Sequence, residues 1–228
     1  RTEEPLDPVR VLTNRSSGRM GFALAEAARD RGADVTVVAG PVDVPAPHGI
    51  TVTPVTTAEE MLRAMTGAAE HADVVLMAAA VADYRPAKPS KQKLKRTDDK
   101  LTLTLEPNAD ILAAIGAAKP PGQLIVGFAL ETNNGVANAR GKLQRKNADL
   151  IVLNAPADSI GAETNKVTLV EAASAQALPA ASKREVAEAI LDRVCELRAT
   201  PAKRAKRATR KPAKPTKRAK RARKGARK

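Results

Sequence analysis

“DVVLMAAAV”, residues 73–81, is apolar at every position after Asp73. An uninterrupted apolar run of this kind is typical of a strand that is buried on both faces. Two similar runs follow along the chain, “QLIVGFA” at 123–129 and “ADLIVLN” at 148–154. Because strands of this type occur in parallel sheets covered by helices, the three runs predict a mostly parallel sheet.

Segments with helical periodicity alternate with the strand patterns. One of them begins with a Thr-x-x-Glu capping box at Thr57, which marks the start of a helix. The predicted helices lie at 21–32, 57–72, 109–119, 134–147 and 182–199. Weaker strand patterns lie at 33–40, at 100–106, where apolar residues alternate, and at 165–172, which resembles an edge strand.

This alternation predicts an α/β fold with a Rossmann-like, doubly wound sheet that is mostly parallel. Such a fold normally begins with a strand that leads into the first glycine-rich loop. The sequence opens instead with “RTEEP”, which has the pattern of a loop. We therefore expect the first strand of the fold to be missing.

The positive charge of the chain is concentrated at its end. The net charge is +14, but residues 198–228 hold 16 Lys and Arg and no acidic residue, which leaves residues 1–197 with a net charge of −2. The end segment repeats Ala, Lys, Arg and Pro and has too little apolar mass to fold. We predict a folded domain at 1–197 and a disordered basic tail at 198–228.

Several classes of protein are excluded by composition. A single cysteine, Cys195, excludes an internal disulfide and a cysteine-based zinc site. No apolar run reaches the roughly 18–20 residues that a membrane span needs, and the charged opening does not resemble a signal peptide. We expect a cytoplasmic protein without a membrane partner.

Ligands of open α/β sheets bind beyond the carboxyl ends of the strands. The loops that follow the predicted strands there, or face the same edge, hold most of the unusual polar residues of the chain. These candidate binding loops are 13–21, 77–96, 107–112, 127–134 and 142–154.

The loop “TNRSSGRMG”, residues 13–21, precedes the first helix. A tight glycine-containing turn that opens a helix can point backbone N–H groups at a phosphate, and it is also how ordinary helices begin. Gly18 and Gly21 have only two residues between them and position 16 is serine, so the three glycines of a GxGxxG fingerprint are not present. That absence argues against a nicotinamide-dependent oxidoreductase, which is one alternative for a fold of this class.

The segment 78–96 combines a strand end of small residues with a charged loop. Small residues let a nucleotide approach the backbone closely, and Asp83 suits a divalent metal or a ribose hydroxyl. The lysine loop, defined here as residues 87–96, is either a solvated loop or a mobile lid that carries cations to a polyphosphate. Lys93 and Lys95 project to the same side if this segment is extended.

Six linked motifs resemble the phosphopantothenate–cysteine ligases, which form the ligase half of the bifunctional coenzyme A biosynthesis flavoproteins of bacteria. Their order and spacing match over roughly residues 2–197, which makes the set far more specific than any one motif. The motifs are “EPLDPVRVLTNRSSGRMG” (4–21), “AAAVADYRP” (78–86), “KLKR” (93–96), “ADIL” (109–112), “GFALETN” (127–133) and “RKNADLIVLN” (145–154).

The resemblance implies a two-step ligation in coenzyme A biosynthesis. CTP, with Mg²⁺, activates the carboxylate of 4′-phosphopantothenate as an acyl-cytidylate and releases pyrophosphate. The amine of L-cysteine then attacks, giving 4′-phosphopantothenoylcysteine and CMP. The resemblance also implies a homodimer. The flavin-dependent decarboxylase half is not in this sequence, so we expect no flavin in this chain.

The resemblance also implies roles for particular residues. Asn14 would orient or stabilise the acyl-nucleotide, Arg10 would pair with an anion nearby, and Lys93 would clamp phosphate. Asp83 would lie beside the nucleotide and hold the metal. The remaining expected nucleotide- or anion-binding residues are Ser16, Ser17, Gly18, Met77, Ala78, Ala79, Ala109, Asp110, Ile111, Leu112, Phe128, Lys142 and Lys146.

Some of these residues also have ordinary explanations. Phe128 is one of only two phenylalanines and is equally suited to packing in the core. Lys142, taken alone, is typical of a solvated helix surface, although Lys142 and Lys146 share a helix face. A third class of function also stays open, in which the domain is a catalytically silent scaffold and the tail binds nucleic acid.

The basic tail generates the first prediction. Deleting residues 198–228 should abolish non-specific binding of duplex DNA while leaving the fold intact, because the tail carries the excess positive charge. Fluorescence anisotropy with labelled DNA at two salt concentrations would measure this, since binding by counterion release weakens steeply with salt. Unchanged affinity of the truncated protein, with an unaltered circular dichroism spectrum, would contradict it.

Overall fold

The computed structural model describes residues 1–96, 98–155 and 164–199. Residues 1–193 form one unit, and residues 194–228 belong to a second unit. Of the second unit, the structure describes only the end of the last helix, through Ala199. The prediction of disorder for the basic tail therefore lies almost entirely outside the described residues.

The helices lie where the sequence periodicity predicts them. Thr57 caps the second helix as expected, because its hydroxyl accepts from the Glu60 backbone N–H at 3.2 Å while the Glu60 carboxylate accepts from the Thr57 N–H at 3.2 Å. The helices of the described residues are α1 (Arg19–Asp30), α2 (Ala58–Ala69), α3 (Ile111–Ala118), α4 (Gly135–Arg145) and α5 (Lys183–Ala199).

The strands are short and fall into one larger sheet and four strand pairs. In chain order the described strands are β1 (Glu3–Pro5), β2 (Val11–Thr13), β3 (Thr36–Ala39), β4 (Thr51–Pro54), β5 (Val74–Met77), β6 (Tyr84–Pro86), β7 (Leu105–Pro107), β8 (Leu124–Leu130), β9 (Leu150–Asn154), β10 (Thr164–Asn165), β11 (Val167–Val170), β12 (Ala175–Ala177) and β13 (Ala181–Ser182).

The larger sheet has the order β12-β11-β9-β8-β5. The pairs β5–β8 and β8–β9 are parallel, with Val75 opposite Ile125 and Gly127 opposite Ile151, whereas β11 and β12 add antiparallel strands on one side. The predicted α/β fold with a mostly parallel centre is confirmed at this level. β3 and β4 form a separate parallel pair among the described strands, and the expectation of a missing first strand stays a prediction.

Three expectations about strands were wrong in part. The opening “RTEEP”, expected as a loop, contains β1, which pairs antiparallel with β2. The segment 165–172 was expected at an edge, but β11 lies between β9 and β12, because β12 supplies an antiparallel partner on its outer side. The alternating segment 100–106 forms a strand only from Leu105, where β7 pairs with the three-residue strand β6. Leu101 and Leu103 are left exposed outside the strands.

Both faces of the central strands are buried, as a doubly wound sheet requires. Ile125 and Ala129 of β8 pack in a core that includes Met61 of α2, Ile111 of α3 and Leu143 of α4. Successive side chains of a strand point to opposite faces, so the neighbouring residues of β8 and β9 face the other way. Those neighbours are also buried; they are Leu124, Val126, Leu150 and Val152.

The N-terminal hairpin is tied to the domain by a buried carboxylate. Glu4 of β1 is 2% exposed, and its Oε1 accepts a hydrogen bond at 2.9 Å from the backbone N–H of Ala58, the first residue of α2. A carboxylate is stabilised at this position because the first N–H groups of a helix lack partners within the helix. The hairpin β1–β2 is thereby fixed to the start of α2.

The buried core yields a stability prediction. Leu143→Ala should lower the free energy of unfolding by about 2–5 kcal/mol, because Leu143 is 1% exposed and truncation leaves a cavity among α4 and the sheet. Denaturant titration followed by circular dichroism would measure it. The matched control is Leu101→Ala, since Leu101 is 60% exposed. Equal losses for the two variants would contradict the assignment of the core.

Candidate functional site

A cavity of about 1080 Å³ opens at the carboxyl ends of the parallel strands. Met77, Leu130 and Asn154, the last residues of β5, β8 and β9, all line it. The cavity receives residues from each of the five loops predicted to bind a ligand. The five predicted loops therefore meet at one cavity, because parallel strands deliver their following loops to the same edge of the sheet.

The N-terminus of α1 faces this cavity. Gly18 is the N-cap and has a φ of 79°, and a Cβ at this position would lie 2.4 Å from Cγ1 of Val42. Any other residue would therefore be both conformationally strained and in collision. No side chain caps α1 and its first turn holds no acidic residue, so the positive end of the helix dipole is available to an anion.

Asn14 joins two of the lining loops. Its Nδ2 donates to the backbone carbonyl of Val81 at 2.9 Å, while the residue itself is exposed. A second amide fastens the neighbouring loop, because Asn108 Nδ2 donates to the carbonyl of Ala82 at 2.8 Å. These two bonds hold the segment after β5 in a fixed conformation, and among the described residues no donor reaches the side-chain Oδ1 of Asn14.

Lys142 is a half-buried cation at the wall of the cavity. Its Nζ donates to the carbonyl of Phe128 at 2.7 Å. Burial lowers the pKa of Lys142, with a smaller contribution from the positive charge of Lys146, against opposing attraction to Asp110 and Glu131. The ammonium is therefore less well solvated than a surface lysine and gains when an anion enters the cavity.

Asp110 serves as the N-cap of α3 and as an ion-pair partner. Its Oδ1 accepts from the Ala113 N–H at 2.8 Å, and its Oδ2 accepts from Lys146 Nζ. Burial opposes ionisation of Asp110, but the hydrogen bonds from Lys146 and Ala113 outweigh it and lower the pKa of this carboxyl. The ion pair between Asp110 and Lys146 fixes the orientation of the Lys146 side chain toward the start of α3.

Asp83 is exposed on the rim of the cavity. Among the residues that the structure describes, no group of three or more His, Cys, Asp and Glu side chains could hold a metal ion. Mg²⁺ in phosphate sites is commonly held by one or two carboxylates together with phosphate oxygens and water. Asp83 fits that kind of site and does not fit a cage made of protein ligands alone.

Arg10 is directed at the lysine loop. Its guanidinium donates to the carbonyl of Leu94 and lies 3.5 Å from Oδ2 of Asp7. The same Asp7 oxygen accepts from the Leu94 N–H at 3.1 Å, and Oδ1 accepts from the N–H groups of Val9 and Arg10 at 2.8 and 2.9 Å. Asp7 and Arg10 together therefore bind both backbone groups of Leu94.

The side chain of Asp7 is held in its ionised form. Its burial opposes ionisation, but backbone N–H donors from Val9, Leu94 and Arg10 outweigh that effect and lower the pKa of Asp7. A lowered pKa in the folded state contributes stability above the ordinary value of about 3.9, and this is lost as pH falls through the folded value. The attachment of Leu94 is therefore complete at neutral pH.

Most of the residues predicted for the site lie together. Ile111 and Leu112 are also core residues, 3% and 7% exposed, so their side chains form the floor rather than a contact surface. The predicted residues that line the cavity are Asn14, Ser16, Ser17, Gly18, Met77, Ala78, Ala79, Asp83, Ala109, Asp110, Ile111, Leu112, Phe128 and Lys142. Arg10, Lys93 and Lys146 do not line it, and Lys93 is exposed on the lysine loop.

The polar residues of the lining that the sequence did not single out include Arg19, Asn154, Asn165 and Lys183. Asn154 had a detectable signal, because it is the polar residue that ends the apolar run of β9. Asn165 and Lys183 come from the C-terminal part of the unit, beyond the last motif, which ends at residue 154. Only the folded chain brings them to the cavity.

The profile of the DNA/pantothenate metabolism flavoprotein C-terminal domain matches residues 1–197. The chain belongs to this family. Similar curated proteins include the coenzyme A biosynthesis bifunctional protein CoaBC of Vibrio vulnificus, 42% identical over 198 residues, or 85% of this chain and 49% of the relative. CoaBC of Bacillus subtilis is 40% identical over 208 residues, covering 89% and 51%.

Another relative, a cysteine/cysteine sulfinic acid decarboxylase from an unknown prokaryotic organism, is 44% identical over 86% of this chain and 56% of its own length. The chain thus spans about half the length of these curated relatives. A crystal structure of the C-terminal domain of CoaBC superposes with a TM-score of 0.74 at 38% identity, covering 86% of this chain and 90% of that one.

A more distant structure, a variant of Cab2 in complex with phosphopantothenate-cysteine, has a TM-score of 0.73 at 19% identity and covers 90% of this chain and 86% of that one. At this identity the likeness concerns the fold. In the described part of the chain, no helix combines the length and apolar character that crossing a membrane requires.

The attachment of Leu94 gives a prediction about the lysine loop. Asp7→Ala should raise the rate of trypsin cleavage after Lys93 and Lys95 about five- to ten-fold, because local opening becomes easier without the bonds to Leu94. Limited proteolysis with mass spectrometry would measure this. Asp34→Ala, at an exposed position outside the loop, is the matched control and should leave the rate unchanged. Equal rates for both variants would contradict it.

Proposed function

We propose that this domain ligates 4′-phosphopantothenate to L-cysteine in coenzyme A biosynthesis, using CTP and an acyl-cytidylate intermediate. The observation that carries the proposal is the single cavity that gathers all the expected residues except Arg10, Lys93 and Lys146. The relatives named CoaBC support the pathway, and the phosphopantothenate-cysteine bound to the Cab2 variant supports the class of product.

In this proposal the nucleotide binds between β8 and α3. Phe128 packs against the base, and the small residues Ala78 and Ala79 let the nucleotide approach the backbone. Lys142 is already in the wall and is poorly solvated, so transfer of its hydrogen bond from the Phe128 carbonyl to a phosphate oxygen is favourable. The choice of CTP over ATP rests on the resemblance to bacterial ligases.

The first chemical step needs orientation and charge stabilisation more than a protein nucleophile. A carboxylate oxygen of 4′-phosphopantothenate attacks the α-phosphorus of CTP, the bond to the bridging oxygen breaks, and pyrophosphate leaves with both electrons of that bond. Asn14, fixed through Val81, is placed to orient the acyl group. Lys93 reaches the phosphates only if the lysine loop closes, because it lies outside the cavity lining.

In the second step the amine of cysteine attacks the acyl carbon. The C–O bond to the cytidylate breaks, CMP leaves with that oxygen, and the amine loses a proton as the amide forms. Asp83 would hold Mg²⁺ together with phosphate oxygens, and the bound ion would neutralise charge that develops on the leaving group.

The proposal includes a homodimer in the cytoplasm. Exposed apolar side chains cluster on the hairpin β1–β2 and on the adjoining pair β6–β7, where they include Val9 at 63% and Tyr84 at 53% exposure. An apolar surface of this kind commonly marks a protein interface. The resemblance implies that the partner is a second copy of this chain. Analytical ultracentrifugation tests this by comparing the molecular mass of the wild type in solution with that of Val9→Asp.

Pyrophosphate release tests the function directly. The assay contains CTP or ATP with 4′-phosphopantothenate and Mg²⁺, with and without cysteine. We expect release selective for CTP and dependent on 4′-phosphopantothenate, with the ligated product formed only when cysteine is present. No release from either nucleotide would contradict the ligase and favour a catalytically silent scaffold.

Asn14→Ala should reduce the rate of pyrophosphate release about 100-fold, because the amide contributes only in the oriented reacting complex. The matched control is Gln176→Ala, which removes an exposed amide outside the cavity lining and outside the candidate binding loops. Thermal unfolding of both variants would verify the fold. An unchanged rate for folded Asn14→Ala would remove this residue from the mechanism.

A further inference from the structure

We propose that Asn147 is a positioning residue for the nucleotide end of the cavity. It docks the turn after α4 on α3 and thereby directs the ammonium of Lys146 at the start of α3. The inference rests on the proposed function for the nature of the bound anion, a nucleoside triphosphate. Asn147 does not line the cavity, so its effect on a ligand is exerted through Lys146.

The turn after α4 has the hydrogen bonds of a Schellman motif. Lys146 is the C-cap of the helix. The N–H of Asn147 donates to the carbonyl of Gln144 at 3.4 Å. The N–H of Ala148 donates to the carbonyl of Leu143 at 3.0 Å. These two bonds satisfy the last carbonyls of a helix in this motif. The backbone of Lys146 is therefore held at the point where the chain leaves α4.

Asn147 has a backbone conformation that few residues adopt. Its φ is 50°, in the left-handed region that glycine and asparagine tolerate best. Glycine at this position would satisfy the turn equally well and without strain. The turn itself therefore does not require the side-chain amide of Asn147, and the contact of that amide lies outside α4.

The amide of Asn147 binds the turn to α3. Its Nδ2 donates to the backbone carbonyl of Gly116 at 2.9 Å. A Cβ at Gly116 would lie 1.9 Å from the carbonyl oxygen of Lys146, so the two backbones are in direct contact there. Nζ of Lys119 donates to the carbonyl of Asn147 at 3.2 Å. Three contacts thus fix the turn on the C-terminal half of α3.

The side chain of Lys146 ends at the other end of the same helix. Its Nζ donates to Oδ2 of Asp110, the N-cap of α3, while its backbone oxygen lies against Gly116. Asp110 and Gly116 are six residues apart, which corresponds to about 9 Å along a helix. Because both ends of the Lys146 residue are held by α3, a shift of the turn along α3 would withdraw the ammonium from Asp110.

This arrangement sets the spacing of two cations at the nucleotide end. Lys142 lies one turn before Lys146 on the same face of α4, and it lines the cavity together with Asp110. The charges of Asp110 and Lys146 both act on Lys142. A triphosphate that enters the cavity meets Lys142 first and can then attract Lys146 from Asp110. The distance between the cations is set by α4, and their height above α3 is set by Asn147.

The test is Asn147→Gly, which keeps the left-handed backbone and removes the amide. We expect the KM for CTP to rise about three- to ten-fold, the effect of one hydrogen bond, and the KM for 4′-phosphopantothenate to stay within about two-fold. The matched control is Ile190→Val, which trims a fully buried side chain on α5, an element that makes none of these contacts. It should lower thermal stability without changing either KM.

The titration of Asp110 reports the position of Lys146 without any ligand. Burial opposes ionisation of Asp110, but the hydrogen bonds from Lys146 and Ala113 outweigh it and lower the pKa of this carboxyl. In Asn147→Gly the pKa of Asp110 should rise, because Lys146 is no longer held against it. In Ile190→Val the pKa should equal that of the wild type. Carboxyl-carbon NMR of labelled protein across a pH series would measure both.

The positioning role makes a different prediction from a purely structural one. If the bond to Gly116 only stabilised the fold, Asn147→Gly would behave like Ile190→Val. A KM for CTP within about two-fold of the wild type, an equal rise in both KM values, or an unchanged pKa of Asp110 would overturn the positioning role. If Asn147→Gly fails to fold by circular dichroism, Asn147→Asp tests the same prediction, because it keeps the size of the side chain and replaces the donor to Gly116 by an oxygen.

Calorimetric titration of CTP separates this inference from the proposed function. A protein that releases no pyrophosphate, but in which Asn147→Gly weakens CTP binding and raises the pKa of Asp110, would uphold the positioning role and overturn the ligase. Ligation with CTP binding and an Asp110 pKa that do not depend on Asn147 would uphold the ligase and overturn the positioning role. Absence of CTP binding in the wild type would overturn both.

Discussion

The hydrogen bonding of β8 between β5 and β9 is the constraint on which the rest of the domain depends. β8 is parallel to both neighbours, so three strands end at one edge of the sheet. The loops that follow must then meet there, whatever their sequences. Burial of both faces of these strands removes alternative registers, because a shift by one residue would place each side chain on the opposite face. The position of the cavity is a consequence of this pairing.

Sequence patterns were sufficient for the elements that are long and strongly periodic. All five helices and the three buried strands lie where periodicity placed them, because burial of one face or of both faces leaves a repeating signal. The position of β11 was wrong for a different reason. Its outer neighbour β12, Ala175–Ala177, is three exposed residues with no apolar signal, and strand order depends on partners that a local pattern does not contain.

The same distinction applies to the residues of the candidate site, some of which lie in recognisable motifs and some of which do not. Most of the predicted residues line one cavity because their motifs lie at the carboxyl ends of the parallel strands or in loops that face the same edge. Lys183 and Asn165 were missed because their proximity to α1 arises only after the chain has crossed the sheet and returned through β10 and β13. Arg10, predicted to pair with an anion, does not line the cavity; its guanidinium binds the backbone carbonyl of Leu94, and no sequence pattern connects positions so far apart.

The attachment of Leu94 to the hairpin has a mechanical consequence. The lysine loop is held to the hairpin at two interior residues, because the Ser90 N–H donates to the carbonyl of Leu6 and both backbone groups of Leu94 are bound. The side chains of Lys93 and Lys95 can therefore rotate while the backbone between them stays beside the hairpin. Much of the conformational entropy that a free loop would lose on closing is already lost when the hairpin folds. The hairpin therefore limits how far the side chains of Lys93 and Lys95 can reach. A change in the hairpin would alter that reach.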